Sequence, residues 1–209
     1  EARIAWKQWI LRNGFRDISE EISGVLEEAF GVLSFYKLLD EQSSGTTLSQ
    51  ADLVNRAKEI SKFHRLTLPD KIDLLKNEFS FSIPDEKVEQ IKSINAARNC
   101  LSHRKGIVGE KDISSNGKLI ATWLGTDFII ETDGKEILFE GPIYLENGGT
   151  LCMRLVSRSR EFPLGTRIEF DEHQFAEIAW TMFNFAQAVA VELENHGKNR
   201  GIEFPQAPV

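Results

Sequence analysis

The sequence predicts a mainly α-helical bundle carrying an inserted antiparallel β-hairpin unit at about 107–170. Three observations predict it. Apolar residues recur at three- and four-residue spacing through 1–106 and again through 171–196, the periodicity of helices with one buried face. Between those stretches the chain becomes rich in β-branched and aromatic residues, punctuated by Asn116-Gly117, Asp133-Gly134 and Asn147-Gly148-Gly149, which close tight hairpins. Finally, 209 residues with 41% hydrophobic and 27% charged content suit a single domain spanning 1–209, large enough to bury a core without covalent staples.

The elements follow in order. Trp6, Trp9 and Ile10 mark a first helix over 3–12 that the Asn13-Gly14 pair ends. Asp17 and Glu20 have capping-box spacing and open a second helix to about Glu41, with Ile18, Ile22, Val25, Leu26, Ala29, Leu33, Tyr36 and Leu39 on one face. Gly45 breaks it, and Ser49 caps a helix to about Phe63. Pro69 falls in the first turn of a short helix ending near Glu78, and Pro84 starts another that carries Val88, Ile91, Ile94, Ala97 and Leu101 as far as Gly106. Strands are expected near 118–124, 127–132, 135–140, 151–161 and 167–170. Asp171 then opens a long helix to about Asn195 with a broad apolar face that includes Phe175, Ile178, Met182, Phe183 and Val189.

Charge and cysteine content narrow the function classes. A net charge of −7 argues against a dedicated duplex-DNA binder, whose affinity comes from neutralising phosphates, and leaves room only for a confined basic site. Two cysteines, Cys100 and Cys152, make neither a disulfide framework nor a Cys-rich metal site and favour a reducing, cytoplasmic compartment. No apolar run of about 18 residues and no signal peptide is present, so neither a membrane span nor export is expected. The chain begins at Glu1 rather than Met, as a trimmed chain or a piece of a longer one would. No P-loop, GxGxxG, HExxH or CxxC motif occurs, and no metal or cofactor is expected.

The chemistry concentrates in residues 95–106, NAARNCLSHRKG, at the end of a helix. Arg98 carries a permanent charge in a fork that grips phosphate oxygens. Histidine is the usual general acid or base, and His103 supplies one at the same helix end. Together they suit cleavage of RNA by its own 2′-hydroxyl, with the arginine offsetting charge on the phosphate. At ~100° per residue the two lie about 140° apart around the helix, whereas Asn99 and His103 share a face. Arg98 and His103 in one chain also supply a single proton-transfer group, and a two-fold dimer would bring two of each into one groove. The spacing is not selective by itself, because Arg167 and His173 satisfy the same loose pattern across a strand end and a helix start. A helix-terminal Arg and His are also favourable partners for the negative end of the helix dipole.

An apolar helix running into AARNCLSHRKG resembles the signature of the HEPN family of helical domains. In that family an Arg, usually followed by a polar residue, precedes a His by four to six residues. Arg98, Asn99 and His103 match those positions. Long helices before the motif and a returning helix after it match the family layout over the α-helical two thirds or so of the chain, while about 107–170 has no counterpart in the minimal bundle. The resemblance implies a HEPN-like bundle, metal-independent endoribonuclease activity, a homodimer with the site at its interface, and roles in toxin–antitoxin, phage-defence or RNA-processing systems, with an antitoxin or other partner protein. It casts Arg98 as the phosphate-stabilising cation, His103 as general acid or base and Asn99 as a group orienting the His or the RNA. Toxins of the two-gene HEPN/nucleotidyltransferase systems often carry Tyr two places after the His, where this chain has Lys105. Other members of the family are catalytically silent, so the alternative is a dimerisation or interaction module, or a nucleotide sensor using the same groove.

Further candidates surround the motif. Arg104, Lys105 and Ser102 extend a local patch for RNA phosphates, or form a solvated helix end. Arg154, Arg158 and Arg160 share one side of a regular strand and make either a nucleic-acid track or a charge-protected edge. Cys100 reads as a small buried hydrophobe, His64 and His196 as surface histidines, and Phe175, Trp180, Phe183 and Phe185 as core.

Overall fold

A computed structural model describes residues 2–43, 49–139, 141–146 and 148–202. Five helices and a small three-stranded antiparallel sheet make a mainly α architecture. The first helix, α1 (Ala2–Ser43), is continuous where two helices separated by Asn13-Gly14 are expected. Packing overrides the local stop signal. Asn13 turns its amide back to the Trp9 carbonyl at 2.8 Å. At Gly14 a Cβ would lie 2.9 Å from the Phe175 ring, so the missing side chain admits an aromatic from the last helix instead of ending the first. The next residue, Phe15, is buried and stacks on Phe170 at 5.5 Å. Asp17 and Glu20 therefore lie mid-helix and cap nothing; they face Arg16 and Arg98.

The next three helices follow the sequence signals closely. In α2 (Gln50–His64) Ser49 and Asp52 form a reciprocal capping box. Thr67 caps α3 (Leu68–Phe79), with Pro69 in its first turn, and Ser80 ends it in the left-handed region. Pro84 precedes α4 (Asp85–His103) and accepts from Lys87 and Val88. Gly45, expected as a breaker, lies outside the described residues.

The sheet has the order β2-β1-β3, all antiparallel. β1 (Lys118–Thr132) is one long strand rather than two. Gly125 does not interrupt it, because the space a side chain would take is filled by Arg158 from the facing strand. Asp133 and Gly134, at φ 49° and 71°, turn the chain into β2 (Lys135–Leu138). β3 (Thr150–Pro163) returns along the other side of β1, pairing from Glu131 with Thr150 to Lys118 with Pro163. Asn116-Gly117 forms a turn ahead of β1 and joins no two strands, and Asn147 lies outside the described residues. The strand expected at 167–170 is also absent: that segment makes one isolated bridge, Ile107 with Arg167, and tethers the α4 cap through Ile168 to the Gly106 carbonyl.

Asp171 caps α5 (Glu172–Lys198) with a second capping box through Gln174. The helix packs along α1 and against β1. Every helix, together with β1 and β3, contributes to one hydrophobic cluster. The β unit is thus built into the core. Leu119, Ala121 and Trp123 alternate inward along β1 onto α4 and α5. Two polar clamps fix it. Ser93 on α4 exchanges hydrogen bonds with Thr122 at 2.9 and 3.2 Å. Glu177 on α5 accepts from the Trp123 indole at 2.8 Å and from the Thr126 amide at 3.1 Å. β3 is an edge strand with Leu151, Met153 and Leu155 exposed.

Candidate functional site

Helix α4 presents the motif from a fixed platform. Ile94, Ala97 and Cys100 are fully buried, which sets the rotation of the helix and leaves Arg98, Asn99, Ser102 and His103 on its outer side. The helix stays regular through His103 and turns over a cap in which Lys105 and Gly106 have φ of 55° and 77°. The Gly106 amide returns to the Cys100 carbonyl at 3.1 Å.

Arg98 points toward α1. Its Nη2 donates to Glu20 at 3.2 Å and its Nη1 to Asn99 at 3.3 Å, while Nε is buried with no acceptor. Glu20 is mostly exposed, so the ion pair is of the screened kind worth a fraction of a kcal/mol to about 1 kcal/mol. Asn99, expected to orient the His or the RNA, bonds to the arginine instead. His103 is exposed, and its ring makes no hydrogen bond or ion pair among the described residues. Because the helix does not fray before it, the ~140° separation from Arg98 remains within one chain.

The remaining predicted residues separate into two groups. Ser102 and Lys105 line an open cleft of about 260 Å³ together with Arg12, Asn13 and Arg16 from α1. Arg104 does not join them. It turns into the 104–113 loop and holds Asp112 through both carboxylate oxygens, Nε to Oδ2 at 2.6 Å, while the Gly109 amide donates to the same carboxylate. That hydrogen bonding keeps the guanidinium ionised above the ordinary arginine range. The Asp112 side chain is buried, so Arg104 acts as a loop strut whose charge is already shared with a carboxylate.

Several other expectations are revised by the geometry. The three strand arginines form no free track: Arg154 pairs with Glu136 at 2.6 Å, Arg158 with Asp127 at 2.7 Å and Glu177 at 3.0 Å, and Arg160 bonds Gln174 at 2.8 Å. Cys100 is buried as expected, and burial followed by the Asp112 charge pushes its thiol above the usual range, opposite to what a nucleophile needs. His64 is exposed but bonded to Glu27 at 2.7 Å, whereas His196 is largely buried beside Glu192 and Phe81. Phe185 is core, but Trp180 and Phe183 stack on each other at 5.5 Å with about half of each exposed.

Sequence reasoning misses Arg12, Arg16 and Glu20, because it places a break between the first two and a cap at the third. It also misses Glu177, a buried acid accepting three hydrogen bonds, which in sequence is one more polar residue on a helix. Among the described residues no group of three or more His, Cys, Asp or Glu side chains is placed to hold a metal ion, and no helix is long and apolar enough to cross a membrane. The fold and site define a mainly helical protein with a polar motif at one helix end. No family model, curated protein or solved structure matches the chain.

Proposed function

We propose that the protein is a metal-independent endoribonuclease of HEPN type that works as a homodimer. The observation that carries this reading is the state of the motif pair. Arg98 is held part-buried with an unused Nε donor and a weak, exposed partner, while His103 on the same helix end is free for proton transfer. A phosphate oxygen is a stronger partner for that guanidinium than Glu20 across solvent. In the proposed reaction His103 takes the proton of the ribose 2′-hydroxyl, the 2′-oxygen bonds to phosphorus, and the bond from phosphorus to the 5′-oxygen breaks. The leaving oxygen takes its proton from the partner's His103, and Arg98 offsets charge on the phosphate. Products are a 2′,3′-cyclic phosphate and a 5′-hydroxyl. Pairing two α4 ends across a two-fold axis supplies the second histidine and overcomes the separation of Arg98 and His103 within a chain. A reducing, cytoplasmic setting and a toxin or defence role with a partner protein rest on the composition and the family resemblance.

The test is cleavage of RNA in EDTA by wild type, Arg98→Ala and His103→Ala, with product ends analysed. Cyclic-phosphate ends lost in both variants support the reading, and full activity of a monomer would remove the shared site. A second reading, a non-catalytic interaction module, is favoured by the Arg98–Glu20 ion pair and by the outward turn of His103. A folded dimer that cleaves no RNA would leave that one standing.

A further inference from the structure

Most arginines of this acidic chain are already committed to carboxylates, as Arg56, Arg104, Arg154, Arg158 and Arg200 show. Arg12 and Arg167 are exceptions. Among the described residues, Arg12, exposed on α1, makes no ion pair, and Arg167 donates only to the Lys105 carbonyl at 3.3 Å. Both line, together with Lys105, which has no acidic partner among the described residues, one depression between residues 8–15 of α1 and the α4 cap. Glu169 is the one carboxylate among the residues lining it. The depression adjoins the cleft that holds Ser102 and Asn13, and Arg12, Leu101 and Lys105 belong to both. Arg16 faces that cleft too, but shares Asp17 at 3.0 Å.

Three cations that make no ion pair among the described residues, set against the one carboxylate of Glu169, leave a local positive excess in a chain of net charge −7, and that excess suits an anionic ligand. The depression is small, about 70 Å³, and opens to solvent beside the larger cleft. Cations in excess of carboxylates favour phosphate over base as the recognised group, at a confined place rather than over a duplex-sized face.

We propose that Arg12, Lys105 and Arg167 form a phosphate-binding track that carries consecutive phosphates of a single RNA strand to the motif end of α4. This rests on the ribonuclease reading for the nature of the strand. The track leads from the outer face of α1, over the cap, to Ser102 and His103, and its grip is independent of base sequence.

The test separates binding from cleavage. A fluorescent 2′-O-methyl RNA has no 2′-hydroxyl to attack, so its affinity is measured by anisotropy at several salt concentrations whether or not the protein cleaves. Removing one cation that neutralises a phosphate of a single strand lowers the slope of log affinity against log salt by about 0.7, or about fivefold in affinity at ~0.1 M salt. Arg12→Gln is expected to weaken binding about fivefold, and the triple variant with Lys105→Gln and Arg167→Gln about a hundredfold with a slope smaller by about 2. Arg65→Gln, an exposed charge beyond the end of α2, is the control and leaves binding unchanged. A triple variant within threefold or so of wild type, or a folded wild type that binds no such RNA, overturns the track even if cleavage of ordinary RNA is seen. Track-dependent binding without cleavage overturns the ribonuclease reading and leaves the track in place.

Discussion

Glu177 is where the sheet, α5 and Arg158 meet, and Glu177→Ala measures what that junction is worth. The carboxylate is buried and accepts from the Trp123 indole, the Thr126 amide and Arg158. Truncation leaves the indole N–H, on a side chain only 2% exposed, without an acceptor and without access to water. A stranded donor of that kind costs about 2–3 kcal/mol, and the half-buried Thr126 amide adds about 1–2 kcal/mol. Arg158 is 37% exposed and keeps Asp127 at 2.7 Å, so it rehydrates and adds little. The expected loss is about 3–5 kcal/mol. For a chain of this size that lowers Tm by roughly 6–20 °C. Glu177→Gln keeps the volume and one acceptor and should lose about half as much. Urea unfolding followed by Trp fluorescence reads both variants. A Glu177→Ala protein within about 1 kcal/mol of wild type would refute the view that this carboxylate secures the sheet to α5.

Three more outcomes are expected. Burial raises the Glu177 and Glu27 carboxyls, but hydrogen bonds from Trp123, Thr126 and Arg158 in one case, and from Lys71 and His64 with their charges in the other, outweigh it and leave both below the ordinary value of 4.5. Their stabilisation is therefore fully present above that value and is lost as pH falls below it, and the acid limb of a pH–stability profile should flatten in Glu177→Gln and Glu27→Gln. Arg104→Gln leaves the buried Asp112 without its cation and should cost about 3–5 kcal/mol while leaving the salt slope of RNA binding unchanged; a changed slope with intact stability would return Arg104 to the RNA. Gly125→Ala puts a Cβ against the Arg158 side chain, 2.6 Å from its Cδ, so it should destabilise by roughly 1–3 kcal/mol and be non-additive with Glu177→Ala in a double-mutant cycle.

The helix signals that hold in the structure are those whose partners lie within one turn. Ser49 with Asp52, Thr67 with Asp70 and Asp171 with Gln174 are all caps that a four-residue window contains. The failures share the opposite property. Gly14 reads as a stop until Phe175, far along the chain, fills the space beside it, and the gap expected between strands at 118–124 and 127–132 closes because Arg158 crosses Gly125. The site divides the same way. Arg98, Asn99 and His103 are visible as a local word, but Glu20 is 78 positions from the arginine it meets, and no periodicity announces such a pair. Arg104 reads as a continuation of the basic patch because Asp112, eight residues on, carries no sign of being buried.

The continuity of α1 sets a tolerance on its sequence that two shorter helices would not. Arg12 at the phosphate track, Glu20 at the motif arginine, and Glu27 beneath Lys71 and His64 ride on one rod, with about 22 Å of helix between the first and the last. A hinge at Gly14 would have let the outer turns re-aim independently. Without it, one residue inserted between Arg12 and Glu20 would swing everything on the amino-terminal side by ~100° and shift it by ~1.5 Å. This stretch should therefore accept substitutions on its exposed face yet reject single-residue changes in length, the reverse of what a loop at the same place would do.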